Sequence, residues 1–166
     1  MTNADTGFDC VLESPLGRLG IRLHAGQLSR VEFLPDTVPL QAPVSLLASR
    51  VAAEFEGYFE DAQQRFSVPV GPAATPFQQR VLTALSAIPN GQTRSYGELA
   101  MQLGSGARAV GNACRRNPLT IVVPCHRVVG ASGIGGYAGH TAGPELQRKL
   151  WLLDHEGVDL APLKTS

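Results

Sequence analysis

Two short helix signals separated only by Gly104-Ser105-Gly106 constrain this chain more than any other feature. Ahead of the turn, Ser95-Tyr96-Gly97-Glu98 has the Ser-x-x-Glu spacing of a capping box. In that motif the first side chain and the fourth satisfy each other's backbone donors, so a short helix is expected to run to about Leu103. After the turn a helix is expected over 107–116. Asn117-Pro118 stops it, because the residue before a proline disfavours helical backbone. Helix, three-residue glycine turn, helix is the spacing of a helix-turn-helix.

The patterns on either side divide the chain. Upstream, 8–13, 19–23 and 28–33 are short apolar runs separated by Ser14-Pro15-Leu16-Gly17 and Ala25-Gly26, as in a small antiparallel meander. Residues 44–58 place apolar side chains at 47, 51, 55 and 58 on one helical face, and 64–68 is a candidate further strand. Pro69, Gly71 and Pro72 mark a linker. Downstream, Thr75-Pro76 reads as an N-cap followed by a first-turn proline. Phe77, Val81, Leu85 and Ile88 then form a helical stripe that Pro89-Asn90-Gly91 ends. A last helix is expected from Pro144 to His155, with Gly157 beyond its end. The 166 residues suffice for two small domains. The expected class is α/β with two domains: 1–72, a small antiparallel sheet with a helix, and 73–166, a mostly helical domain carrying the helix-turn-helix.

Composition excludes some classes of function. The chain is 43% hydrophobic and 17% charged, ordinary for a soluble globular protein. No run approaches the roughly 20 apolar residues that span a bilayer, so no membrane partner is expected. Its first ten residues lack a basic region followed by an apolar run, so a cytoplasmic location is expected. Net charge is zero, but within 90–127 five arginines (94, 108, 115, 116, 127) stand against one acid, Glu98. Such a cluster fits a face that meets phosphate, and it also fits ordinary surface scatter. Cys10, Cys114 and Cys125 are odd in number and widely spaced, against a disulfide framework or a closed zinc site. Cys10 with His24 is half of a conceivable metal site whose other half is not evident, so no metal is expected.

The chemistry centres on 121–129, Ile-Val-Val-Pro-Cys-His-Arg-Val-Val. Pro124 fixes the backbone and sets Cys125 at the end of a strand-like segment. Nucleophilic cysteine chemistry needs a thiolate, and an ordinary thiol with a pKa of about 8.5 is only slightly ionised at neutral pH. His126 is placed to take the proton, directly or through a water, and Glu156 can orient that imidazole. The bland alternative is a buried cysteine beside a surface histidine.

Pro124-Cys125-His126-Arg127-Val128-Val129 resembles the signature of the O6-alkylguanine-DNA alkyltransferases, also called methylated-DNA–protein-cysteine methyltransferases. The flanks agree: 77–82, 95–100, 107–111, Asn117-Pro118 and 151–157, so the resemblance covers essentially all of 75–157. The match over Ser14-Pro15-Leu16-Gly17 is weaker. The resemblance implies a ribonuclease H-like first domain and a winged-helix-like second one. It implies a partner, double-stranded DNA containing alkylated guanine, bound in the minor groove with the damaged nucleotide flipped out. That groove is only about 6 Å wide, and a helix bearing Ala107, Ala109, Gly111 and Ala113 is slim enough to enter it. By the same resemblance, Arg108 inserts where the base has left. Tyr96 crowds the 3′ phosphate and bonds the flipped guanine. Ser95, Arg94 and Arg115 contact phosphate. Asn117 braces the turn and the active-site segment. Tyr137, Ala138, Gly139 and Val128 line the pocket, with the Ala138 N–H reaching guanine O6. Arg127 is expected to brace the strand.

The implied reaction is a single transfer. Glu156 orients His126, His126 accepts the Cys125 proton, and the thiolate attacks the alkyl carbon in line. Nothing in such a site cleaves the thioether, so each molecule acts once, as a suicide methyltransferase that requires no cofactor. O4-alkylthymine is a second candidate substrate. The protein is expected to act as a monomer, with cooperative binding along DNA left open. The 135–144 link is longer than in many relatives, and His140 has no implied role. Three rivals stand beside this reading: a lesion reader without chemistry, a cysteine hydrolase using Cys125, His126 and Glu156, and a regulator that senses alkylation. The lesion reader is the nearest alternative. Its relatives lack the reactive cysteine, which is present here.

Overall fold

The structure, a computed structural model, describes residues 7–130, 133–135 and 143–163. They form a mixed α/β protein of two compact units, Met1–Pro72 with Pro118–Val122, and Ala73–Asn117 with Val123–Ser166.

The first unit is built on three antiparallel strands in the order β1 (Cys10–Leu12), β2 (Arg18–His24), β3 (Gln27–Leu34). The Ser14–Gly17 turn closes on itself: Ser14 Oγ donates to the Gly17 carbonyl at 2.6 Å and accepts from Leu16 N–H at 3.1 Å. Leu19 and Ile21 alternate onto the buried face of the sheet, and a bulge between β2 and β3 brings Leu28 and Val31, three residues apart, onto it as well. Helix α1 (Leu46–Glu60) is capped by Ser45, whose hydroxyl accepts from Ala48 N–H at 3.1 Å. It buries Ala48, Val51, Phe55 and Tyr58, the expected stripe shifted slightly in phase.

Residues 64–68 are not a strand. The Ser67 and Val68 N–H groups donate to the Glu54 carboxylate at 2.7 and 3.2 Å, and Pro69 has no N–H, so the ladder bonds a strand needs are already spent. Phe66 turns back onto α1, 4.9 Å from Phe55 and 5.5 Å from Tyr58 between ring centroids. Residues 118–122, numerically inside the second domain, lie beside β3, where Val31 N–H donates to the Pro118 carbonyl at 2.8 Å.

The second unit begins with α2 (Pro76–Ser86), capped by Thr75 and opened by Pro76. A two-residue strand β4 (Arg94–Ser95) leads into α3 (Tyr96–Leu103), where both halves of the capping box are present. Gly104, at φ 63 and ψ 38, ends α3 in the left-handed conformation that glycine adopts without strain. Helix α4 (Ala107–Arg115) follows after the three-residue turn. Buried Gln78 ties α2 to it, its Nε2 donating to the Ala113 carbonyl at 3.0 Å. Strand β5 (Val128–Val129) pairs in parallel with β4, and α5 (Pro144–His155) packs against the turn that precedes β5.

Candidate active site

Cys125 does not end a strand. Ile121 has φ +73, in the left-handed region that a β-branched residue rarely adopts, so the run before Pro124 cannot continue extended. Cys125, His126 and Arg127 form one turn of 3-10 helix. The Cys125 N–H donates to the Val123 carbonyl at 2.8 Å, and Asn117 Nδ2 donates to the same oxygen at 2.9 Å. Two donors on one carbonyl hold the backbone two residues ahead of the cysteine. Cys125 is 7% exposed and His126 is fully buried.

His126 Nε2 lies 2.9 Å from Glu156 Oε2. Glu156 is the C-cap of α5, and its carboxylate is wholly buried. Arg127 grips it in a fork, Nε to Oε1 at 2.8 Å and Nη2 to Oε2 at 3.0 Å, while Nη1 donates to the Ile88 carbonyl at 2.7 Å. Arg127 therefore braces Glu156 and the end of α2, where a strand-bracing role was expected. A guanidinium fork keeps the carboxylate ionised, and an ionised carboxylate only accepts, so the hydrogen of His126 sits on Nε2. Nδ1 carries the lone pair, and this buried atom has no hydrogen-bond partner among the described residues. Burial holds the imidazole below its usual pKa, outweighing the upward pull of Glu156. His126 is thus neutral at neutral pH, with its basic nitrogen available.

Lys149 shares the inner face of α5 with Leu152 and Leu153 and is fully buried. Its ammonium donates to the Val128 carbonyl at 2.6 Å and lies 5.9 Å from the centroid of the Tyr96 ring. Burial pushes its pKa down to about 8, partly countered by Cys125 and Cys114. Tyr96 opens α3. Burial raises its phenol above the ordinary range, so at neutral pH it is a hydrogen-bond donor. Gly135, at φ +73, lies against this ring: a Cβ there would stand 3.0 Å from Tyr96 Cε2 and 3.1 Å from the Gly130 nitrogen. The side chain of Val128 is fully buried, and its carbonyl is the acceptor for Lys149. Sequence reasoning missed Lys149. Its signal was a lysine at a core position of an apolar stripe, 149, 152 and 153.

Helix α4 has two chemically distinct sides. Val110, Ala113 and Cys114 face inward; Ala107, Arg108, Asn112 and Arg115 are exposed. Gly111 and Ala109 are half-buried, and a Cβ at Gly111 would meet nothing within 4 Å. Ser95 accepts from Glu98 N–H at 3.0 Å, and Arg94 donates to the Thr93 carbonyl at 2.9 Å and to Gln92 Oε1 at 3.2 Å. Tyr137, Ala138, Gly139 and His140 lie outside the described residues. Cys10 is buried and its thiol is pushed up to about 11, chiefly by burial, while His24 is exposed. Among the described residues no three His, Cys, Asp or Glu side chains are grouped to hold a metal ion, and no helix is long and apolar enough to cross a membrane.

Residues 76–158 match the family model of the 6-O-methylguanine DNA methyltransferase DNA-binding domain. The methylated-DNA–protein-cysteine methyltransferase of Mycobacterium leprae is 41% identical over 152 residues, spanning 87% of this chain and 89% of the relative. This chain belongs to the methylated-DNA–protein-cysteine methyltransferase family. Family members of known structure agree with the fold. The Mycobacterium tuberculosis O6-methylguanine methyltransferase is 39% identical with a TM-score of 0.74, covering 88% of this chain and 90% of that one. The Mycobacterium tuberculosis OGT in complex with DNA is 41% identical with a TM-score of 0.73, over 88% and 90% of the two chains.

Proposed function

We propose that this chain repairs O6-alkylguanine in duplex DNA by moving the alkyl group onto its own Cys125, one transfer per molecule. The observation that carries the reading is the buried pairing of His126 with Glu156. It leaves the basic Nδ1 of a neutral imidazole on the same turn as the cysteine. Family membership, and a relative known in complex with DNA, supply the substrate class.

The chemistry follows from the charges. His126 Nδ1 takes the Cys125 proton through a water, and Glu156 stabilises the imidazolium that forms. The sulfur attacks the alkyl carbon, an S–C bond forms as the C–O6 bond breaks, and the electron pair goes to the purine. Tyr96 donates to the leaving guanine, which departs neutral after taking a proton. Holding sulfur and alkyl carbon in line supplies much of the acceleration. The product thioether has no leaving route, which makes the protein a reagent used once.

Base chemistry inside a duplex requires extrusion of the nucleotide, at a few kcal/mol. Helix α4 presents the small residues Ala107, Ala109 and Gly111 to a narrow groove, with Arg108 filling the vacated stack and Arg94, Ser95 and Arg115 on phosphate. Asn117 holds the active-site turn, and Val128 lines the pocket. In this reading the first unit is ribonuclease H-like and the second winged-helix-like. The protein works as a monomer in the cytoplasm.

Intact mass spectrometry after mixing with a duplex carrying one O6-methylguanine tests the reading. A gain of one CH2 on Cys125, saturating at one per molecule and absent in Cys125→Ser, is expected. Tight binding without any gain would instead make the protein a lesion reader.

A further inference from the structure

Asn112 has no part in the mechanism above, yet it sits on the exposed side of α4 next to Gly111 and one turn after Arg108. Its amide is already oriented. Arg115 Nη2 donates to Asn112 Oδ1 at 3.0 Å, which takes one lone pair of that oxygen and turns the oxygen end of the amide towards Arg115. Gly111 beside it adds no bulk, since even a Cβ there would meet nothing within 4 Å, so another molecule can approach the helix backbone closely at this point. The helix thus offers a short, exposed side chain whose oxygen end is engaged by Arg115 and whose Nδ2 end is its ready donor.

The floor of the minor groove suits such a group unevenly. Every base pair presents acceptors there, purine N3 and pyrimidine O2, and a G·C pair adds one donor, the guanine 2-amino group. An amide held with its Nδ2 end forward bonds the acceptors of an A·T pair and meets a competing donor over G·C. Resting on the proposed function, we infer that Asn112, oriented by Arg115, is a specificity-determining residue. It biases alkyl transfer towards lesions with an A·T pair at the position it reaches.

Single-turnover transfer rates from O6-methylguanine test this. The lesion is placed in duplexes with A·T, G·C or hypoxanthine·C at each of the three pairs on either side. At one or two positions the wild type should react roughly three- to ten-fold faster with A·T than with G·C, the effect of one hydrogen bond made or lost. Hypoxanthine·C, which lacks the 2-amino group, should behave like A·T. The A·T to G·C ratio should fall to about one in Asn112→Ala. It should invert in Asn112→Asp, whose carboxylate accepts from the guanine amine. Because Asn112 is exposed, thermal melting should show all variants folded. A wild-type ratio of one at every position, or a ratio unchanged in Asn112→Ala, overturns the inference. A wild type that transfers from no duplex overturns the proposed function instead.

Discussion

Replacing Glu156 with Gln isolates the charge at the centre of the site. The carboxylate accepts from His126 Nε2 and Arg127 Nη2 on one oxygen and from Arg127 Nε on the other. A Gln amide keeps most of these by placing its oxygen where two donors converge. Its NH2 then confronts Arg127 Nε, donor against donor, beside a guanidinium without its counter-charge. Removing one partner of a buried ion pair costs about 3–5 kcal/mol. At about 2–4 °C per kcal/mol for a chain of this size, the melting temperature should fall by roughly 6–20 °C. The His126 tautomer survives, but the imidazolium loses its stabilising charge. General-base assistance contributes about 10²–10⁴ in rate, and retention of the tautomer places the loss near the lower end, about a hundredfold. The assay is single-turnover transfer from a labelled duplex between pH 6 and 9, at a temperature where both proteins are folded. The variant's rate should climb with pH as hydroxide replaces imidazole as the base, while the wild type levels off once His126 is neutral. A folded variant that reacts within threefold of the wild type, with a flat pH profile, would refute the role given to Glu156.

Other outcomes follow from the same structure. Lys149 has a folded pKa of about 8 against an ordinary value of 10.5, so between those limits the unfolded chain holds a proton that the folded one lacks. The stability of the wild type relative to Lys149→Met should therefore grow as pH rises from 8 to 10.5, by about 3 kcal/mol in denaturant melts, and shrink again as pH falls. At Ile121 the usual order of small residues should reverse. With φ at +73, Ile121→Gly should be about 1 kcal/mol more stable than Ile121→Ala by urea midpoint, since only glycine escapes the strain. Gly111→Leu should fold normally, because space is open around that position, yet lose transfer from duplex DNA. The same variant should keep its reaction with free O6-methylguanine base, read by mass; equal loss on both substrates would place Gly111 in the pocket, away from the groove.

Local signals were the legible part of this protein. The Ser95–Glu98 box, the Thr75 cap with Pro76, and the glycines at 104 and 157 act over three or four residues, and each element they predicted is present at nearly its expected bounds. Residues 64–68 were misread because a side chain 13 residues away, Glu54, takes the N–H of Ser67 that a strand would use. The extended run expected before Pro124 fails at Ile121, whose left-handed backbone no propensity foretells. In the site, Cys125, His126 and Glu156 were readable as chemistry. The fork of Arg127 on Glu156 spans 29 residues, and the bond from Lys149 to Val128 spans 21. Neither separation carries a periodic signal, so only packing reveals them.

The fate of the other two thiols has a practical side. With Cys10 pushed up to about 11 and Cys114 to about 12, on the order of one Cys10 in ten thousand and one Cys114 in a hundred thousand is ionised at pH 7. Cys10 is also closed off from solvent. Stray electrophiles thus find little to react with at those two positions. A population of this protein recovered from alkylated cells should carry its history at one sulfur, and the modified fraction would serve as a dosimeter of lesions removed.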